Sequence, residues 1–298
     1  MNTSPAHILT AIAEVKAQTL VSLFGNDFDD ADDFDGMFAQ ALLSQIPDMN
    51  GVSVGVLSAL DLPGSAQAAM LHAGRNMALP DPESAYRMMT LINGKDSLYK
   101  AQVHELGEMG KAVAEMQQAG QKLADIEAGH EDIEAGLKDF VAQYNDWISR
   151  FAPDLSGGGL LAGTQAAEIS RYELEQSVRN MFIGVSEGLN GIDDIGVDVM
   201  PDGTLSLDGA KLDAMMDTNM KAVVGATREF GASFARAAEM LNAQNNFIPN
   251  QLDNLNRAIR YIGENQADWQ AEFGTGDAAK PTGQVARALA AYKQADGV

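Results

Sequence analysis

Glu127-Ala-Gly-His130 has the Glu-x-x-His spacing that sets a carboxylate and an imidazole on one helix face, the arrangement with which di-iron bundles hold metal. Such a centre needs the motif twice and two further carboxylates, and the chain holds no second copy. His104-Glu105 begins a zinc-protease pattern, but position 108 is Glu108 where the second histidine would stand. Gly51-Val-Ser53-Val-Gly55 fits the nucleophile elbow of serine hydrolases, which seats its serine between a buried strand and a helix. Pro47 and Asp48 precede it where that strand should run, so an ordinary small-residue turn is the better reading.

The remaining candidates are weaker still. The glycines of SGGGLLAG lack the lysine that grips a phosphate. In the acidic stretch GNDFDDADDFDG, Asp33, Asp35 and Gly36 fall in the register of a calcium loop, but its first position is Ala31 and its twelfth is Leu42. Methionines 88, 89, 109, 116, 215 and 216 have no histidine clustered with them and read as adaptable packing. With His7 and His72 completing the four histidines, no catalytic, cofactor-binding or metal residue is assigned, and no cofactor is expected.

Composition narrows the partners. The formal net charge of −22, from 42 acidic and 20 basic residues, repels phosphates and anionic headgroups, so neither nucleic acid nor membrane is expected as a partner. The absence of cysteine removes disulfides and thiolate chemistry together, and suits a reducing cytosol as well as a protein that crosses a narrow channel unfolded. The start MNTSPAHILTAIAEVKAQTLVSLF has neither an early basic region nor a long unbroken apolar stretch. No segment reaches the roughly 18 apolar residues of a membrane span. A soluble protein is expected, and any export would use an uncleaved signal.

The elements that must carry these residues are mainly helical. Aromatics are 6% of the chain, while alanine, glycine and methionine are plentiful. Residues 1–80 read as short helices and turns around the acidic loop: Ile8, Ile12, Val15 and Leu23 mark an amphipathic helix, and helical material near Phe38–Leu43 is soon interrupted. Asp81-Pro82-Glu83 is a helix start, and Asn93-Gly94 is a candidate stop. One long helix is then predicted from a seam of Leu106, Met109, Val113, Met116, Leu123, Ile126, Ile133, Leu137, Phe140, Tyr144, Trp147 and Phe151, with Gly120 and His130 at the two remaining positions. Consecutive gaps of three around Leu123 should overwind it locally. Glycines at 107, 110, 120, 129 and 136 make it dependent on a close-packed partner. The candidate is the run Phe230, Phe234, Ala237, Leu241, Leu252, Leu255, Ile259, Ile262, Trp269 and Phe273, broken between Asn245 and Pro249.

Between these runs, SGGGLLAG is a flexible turn, and Thr164 is a cap for a helix through Val185. In GVDVMPDGTLSLDGAKLDAMM, Val197 and Val199 alternate with polar residues, Asp202-Gly203 turns the chain, and Leu205 and Leu207 alternate back. That predicts a β-hairpin near 195–208, with Asp208 capping a short helix that carries Leu212 and Met215. The fold class is therefore mainly α, a long antiparallel helical bundle or coiled coil with a small β-hairpin. Residues 81–273 form its helical core and 274–298 a C-terminal tail.

These blocks together resemble the C-terminal region of the flagellar hook-associated protein 2 family, the filament-capping proteins. LKDFVAQYNDWISRF carries the family's Phe-Val-x-x-Tyr-Asn core at Tyr144 and Asn145, and GGLLAGTQAAEISRYELEQSVRNMF its Leu-Ala-Gly turn at Gly163. GIDDIGVDVMPDGTLSLDGAKLDAMM matches most specifically, through Gly196, Asp202, Gly203, Leu205, Leu207, Asp208 and Leu212. NFIPNQLDNLNRAIRYI echoes a later helix at Asp253, Leu255 and Asn256. The blocks keep the family order over roughly Leu137–Ile262. Residues 1–80 lack the family's opening Gly-Leu-Asp motif, and no long β-rich central region is present, so the chain looks like a core-only version.

The resemblance implies a non-enzymatic structural protein of the bacterial flagellum, exported by the type III apparatus and acting in filament assembly or capping. Implied partners are flagellin or hook–filament junction proteins, further copies of itself as a homo-oligomer, and an export chaperone. It implies an extracellular place, with a cytoplasmic stage before export. A cytoplasmic helical adaptor or export chaperone for flagellar or type III substrates is the alternative. An enzyme using Ser53, or a metal on Glu127 and His130, is the third reading.

Overall fold

A computed structural model describes residues 73–179 and 188–296. The predicted N-terminal helix, the acidic loop, the segment Phe38–Leu43, His7, His72 and the Ser53 elbow lie outside the described residues, as does the expected helix end at Val185. The described chain is mainly α: α1 (Pro82–Ala124), α2 (His130–Leu155), α3 (Gln165–Arg179), β1 (Val197–Val199), β2 (Leu205–Leu207), α4 (Gly209–Asn242), α5 (Phe247–Phe273) and α6 (Gly283–Asp296). Its residues divide into two compact units, one from His104 to Leu252, the other from those up to Val103 with those from Asp253 on.

The helix start at Asp81-Pro82 forms because Asp81 accepts the Ser84 N–H at 3.1 Å, satisfying a backbone donor that has no partner in the first turn. Asn93-Gly94 does not stop this helix, which runs on to Ala124. The Asn93 amide instead donates sideways, to the carbonyls of Thr275 (3.0 Å) and Asp277 (2.8 Å).

The single long helix predicted over Leu106–Phe151 is two helices, because the chain turns between Ala124 and His130. The consecutive gaps of three around Leu123 mark that turn rather than an overwound stretch. A seam persists across it because the arms fold back and bury the same face: Lys122 approaches Asp139 at 3.7 Å near the turn, and Glu105 meets Arg150 at the far end. The two arms are therefore antiparallel.

In the His104–Leu252 unit, α4 lies antiparallel on α1. Arg228 donates to the Ile126 carbonyl at 2.9 and 2.6 Å, and Asn242 donates to the Gly110 carbonyl at 2.8 Å. Between these contacts Gly120 faces Gly231. A Cβ on Gly231 would sit 2.5 Å from the Gly120 oxygen, and one on Gly120 would sit 2.9 Å from the Ala235 nitrogen. Phe140 of α2 fills the neighbouring space, edge-on to Phe230 at 5.0 Å and to Phe234 at 4.8 Å. Such pairs add about 0.5–1.5 kcal/mol each beyond burial. α3 packs on α4, and β2 packs on α2.

SGGGLLAG is not a free turn. Leu160 and Leu161 are buried, and the Leu161 N–H caps the end of α2 by donating to the Asp154 carbonyl at 3.0 Å. Thr164 does precede α3, but its hydroxyl donates back to the Leu161 carbonyl at 2.7 Å.

The other unit is described separately. Met89 and Ile92 of α1 pack with Ala258 and Ile262 of α5, and Tyr99, Tyr261, Trp269 and Phe273 border this core. The segment after α5 docks closely: the Gly276 N–H donates to the Gly74 carbonyl at 3.1 Å, and Thr90 Oγ1 accepts the Asp277 N–H at 2.8 Å. A Cβ on Gly276 (φ 62°) would lie 2.5 Å from the Thr90 nitrogen. Residues 274–298, expected as a tail, carry this contact and α6, in which Ala288 and Leu289 are buried.

Candidate functional site

Tyr144, Asn145 and the motif residues from Gly196 to Leu212 gather in one place in the His104–Leu252 unit, where the β-hairpin meets α2 and the start of α4. The hairpin pairs Val197 with Leu207, Asp198 with Ser206 and Val199 with Leu205. Its loop is Pro201-Asp202-Gly203, closed by the Met200 N–H on the Thr204 carbonyl at 2.8 Å. The turn is thus one residue longer than Asp202-Gly203 alone. Proline suits the entry position, and Gly203 takes the left-handed value (φ 86°) that ends a three-residue hairpin loop. Asp202 accepts from the Thr204 N–H at 3.0 Å and hydroxyl at 2.6 Å, and these bonds hold its carboxyl below the usual carboxylate range.

Asn145 joins this hairpin to α2. Its amide donates to the Leu205 carbonyl at 2.8 Å and accepts the Leu205 N–H at 2.7 Å, so the side chain imitates a neighbouring strand on the free edge of β2. The inward residues of the hairpin, Val197 and Leu205, are 1% and 3% exposed and fix its register on the helix. Tyr144 is also buried, and burial pushes its phenol up, with the nearby Glu175 charge adding to the effect.

The next motif residues fasten the hairpin to α4. Gly196 (φ 91°) brings its carbonyl to the Asp208 N–H at 2.7 Å, where a Cβ would sit 2.6 Å from the Asp208 oxygen. Asp208 in turn accepts the Lys211 N–H at 3.1 Å as the cap of α4. The helix it caps is long in total but departs from helical geometry at Asn219 (φ −152°), so its first part is short. Leu212 and Met216 are buried there, while Met215 is only half-buried.

The other named residues are placed as follows. All twelve apolar seam residues are buried, from Leu106 to Leu123 on α1, Ile126 in the turn, and Ile133 to Phe151 on α2. Gly163 (φ 74°) turns the chain before α3. Leu255 is buried on α5 with Asp253 and Asn256 exposed beside it, and these three belong to the other unit.

Glu127 is exposed in the α1–α2 turn, and His130 begins α2 at the surface, 3.4 Å from Asp213. The two form no centre: among the described residues no group of three or more histidine, cysteine, aspartate or glutamate side chains could hold a metal. A groove of about 310 Å³ runs between α1 and α2, with Met116, Trp147 and Phe151 beside Glu115, Asp146 and Arg150. No described helix is long and apolar enough to cross a membrane.

Sequence reasoning missed Glu105 and Arg228. Arg228 is one of several basic residues along α4, and its target carbonyl is free to accept only because α1 ends just before it. What the junction does is mechanical: it locks a short hairpin onto a helical bundle through backbone-directed bonds.

No curated protein and no solved structure compared with the chain matches it. The family described as flagellar hook-associated protein 2 C-terminus matches residues 112–275, from within α1 to just beyond α5 and more than half of the chain, and the chain belongs to that family.

Proposed function

We propose that this protein is a non-catalytic structural component of the bacterial flagellum that acts in filament assembly or capping. It leaves the cytoplasm through the flagellar type III export apparatus without a cleaved signal. Outside, it works against flagellin or hook–filament junction proteins and further copies of itself. One observation carries this reading. The family match covers the whole Asn145–hairpin–Asp208 junction, so the shared sequence and the interlocked part of the structure coincide.

Deleting the gene and comparing filament length and flagellin secretion tests it. The expected result is shorter or absent filaments with flagellin accumulating in the medium, restored by the intact gene. Unchanged filaments and secretion would overturn it.

A further inference from the structure

At the open end of the α1–α2 hairpin two carboxylates compete for one guanidinium. Glu105 and Asp154 are 6% and 4% exposed, whereas Arg150 is half exposed. Arg150 Nη1 lies 3.1 Å from Asp154 Oδ2, and its Nη2 touches Glu105 Oε1. The two nitrogens belong to one planar group, so the two carboxyl groups adjoin. Glu105 Oε1 makes no aligned hydrogen bond despite that contact.

The charges do not balance. Two buried carboxylates against one shared cation leave a surplus negative charge in a poorly solvated place, and binding a proton costs less than burying that charge. Burial and then the Asp154 charge push the Glu105 carboxyl upward, against the pull of Arg150. Among the described residues, Asp154 and Arg150 are the charged groups that act on Glu105. On the same helix Glu108 is held by Lys111 at 2.7 Å, and where α4 and α5 pack on α1 near Gly110 they bring Asn242 and Ile248, neither of which titrates.

We propose that Glu105 keeps its proton in the folded protein, which makes the open end of the α1–α2 hairpin a proton-dependent clamp that loosens in alkaline solution. The sign follows from linkage. The folded state holds this proton where the unfolded chain has lost it, so the stabilisation is complete below the ordinary glutamate range and is lost as pH rises through the raised value. This inference does not rest on the flagellar reading.

Thermal melts of the full chain between about pH 5 and pH 8 test it with wild type, Glu105→Gln and the exposed control Glu115→Gln. Wild type and Glu115→Gln should lose melting temperature with rising pH more steeply than Glu105→Gln, by about 3 °C per pH unit across the titration. Equal slopes for wild type and Glu105→Gln would overturn the proposal. Infrared spectra of the wild type decide the matter without a variant. A protonated carboxyl band at neutral pH that disappears in alkali supports the proton held by Glu105, and its absence contradicts it.

Discussion

Asn145 is the residue on which the hairpin depends most, because one amide side chain satisfies both backbone groups of Leu205. Asn145→Ala should cost about 2 kcal/mol in urea unfolding, since two bonds are lost and partly buried partners are left unpaired. Asn145→Asp should cost at least as much, because a carboxylate cannot donate to the Leu205 carbonyl. The glycines divide by what faces them. Gly120→Ala and Gly231→Ala push a methyl into the opposing backbone and should each lose about 1–3 kcal/mol. Gly94→Ala and Gly107→Ala meet nothing within 4 Å on the same helix and should each gain up to about 1 kcal/mol. Calorimetry separates the two pairs by sign. From sequence Gly107 and Gly120 form one class, because the neighbour that distinguishes them, Gly231, lies more than a hundred residues away.

At the scale of elements, the Asp81 and Asp208 caps and the hairpin turn were legible, while the Thr164 cap, the stop at Asn93-Gly94 and the path of the chain were misread. Asp81, Asp208 and the Asp202-Gly203 turn act within a few residues of themselves, so their spacing carries their meaning, though Pro201 joins that turn as well. The α1–α2 turn was hidden because a heptad seam reports only which face is buried, and both arms of a helical hairpin bury the same face. α6 gave little contrast, being rich in alanine with few large apolar side chains. The start of α1 has a pH dependence of its own. Asp81 is held below its ordinary range by the Ser84 hydroxyl and N–H, and Glu83 by Arg75. With folded values depressed, this stabilisation is present above the ordinary carboxylate range and is lost as pH falls through the lowered values. The protection of the Ser84 amide against hydrogen exchange, relative to its intrinsic rate, should therefore fall below about pH 4. Asp81→Ala should show the same weakening at neutral pH, at a cost of about 1 kcal/mol. Unchanged Ser84 protection in acid would remove the cap from the account.

At the scale of the whole molecule, membership of the flagellar family and a mainly helical fold with one small hairpin agree with the ordered blocks from Leu137 to Ile262. The match also begins earlier than those blocks, at residue 112, and so takes in the stretch of α1 around Gly120 that faces Gly231 of α4. That packing could not be read from either segment alone, since a helix seam does not name its partner. The net charge of −22 belongs to this scale too, and it sets a field that repels phosphates and anionic headgroups. The central claim is that this chain works as part of the flagellum, and the most direct measurement is where it is found. Purified hook–filament preparations and cytosol from the wild type and from a strain lacking a working flagellar export apparatus should be probed for it side by side. The account predicts the protein in the wild-type filament fraction and its retention in the cytosol of the export-deficient strain; an exclusively cytosolic protein in both strains would contradict it.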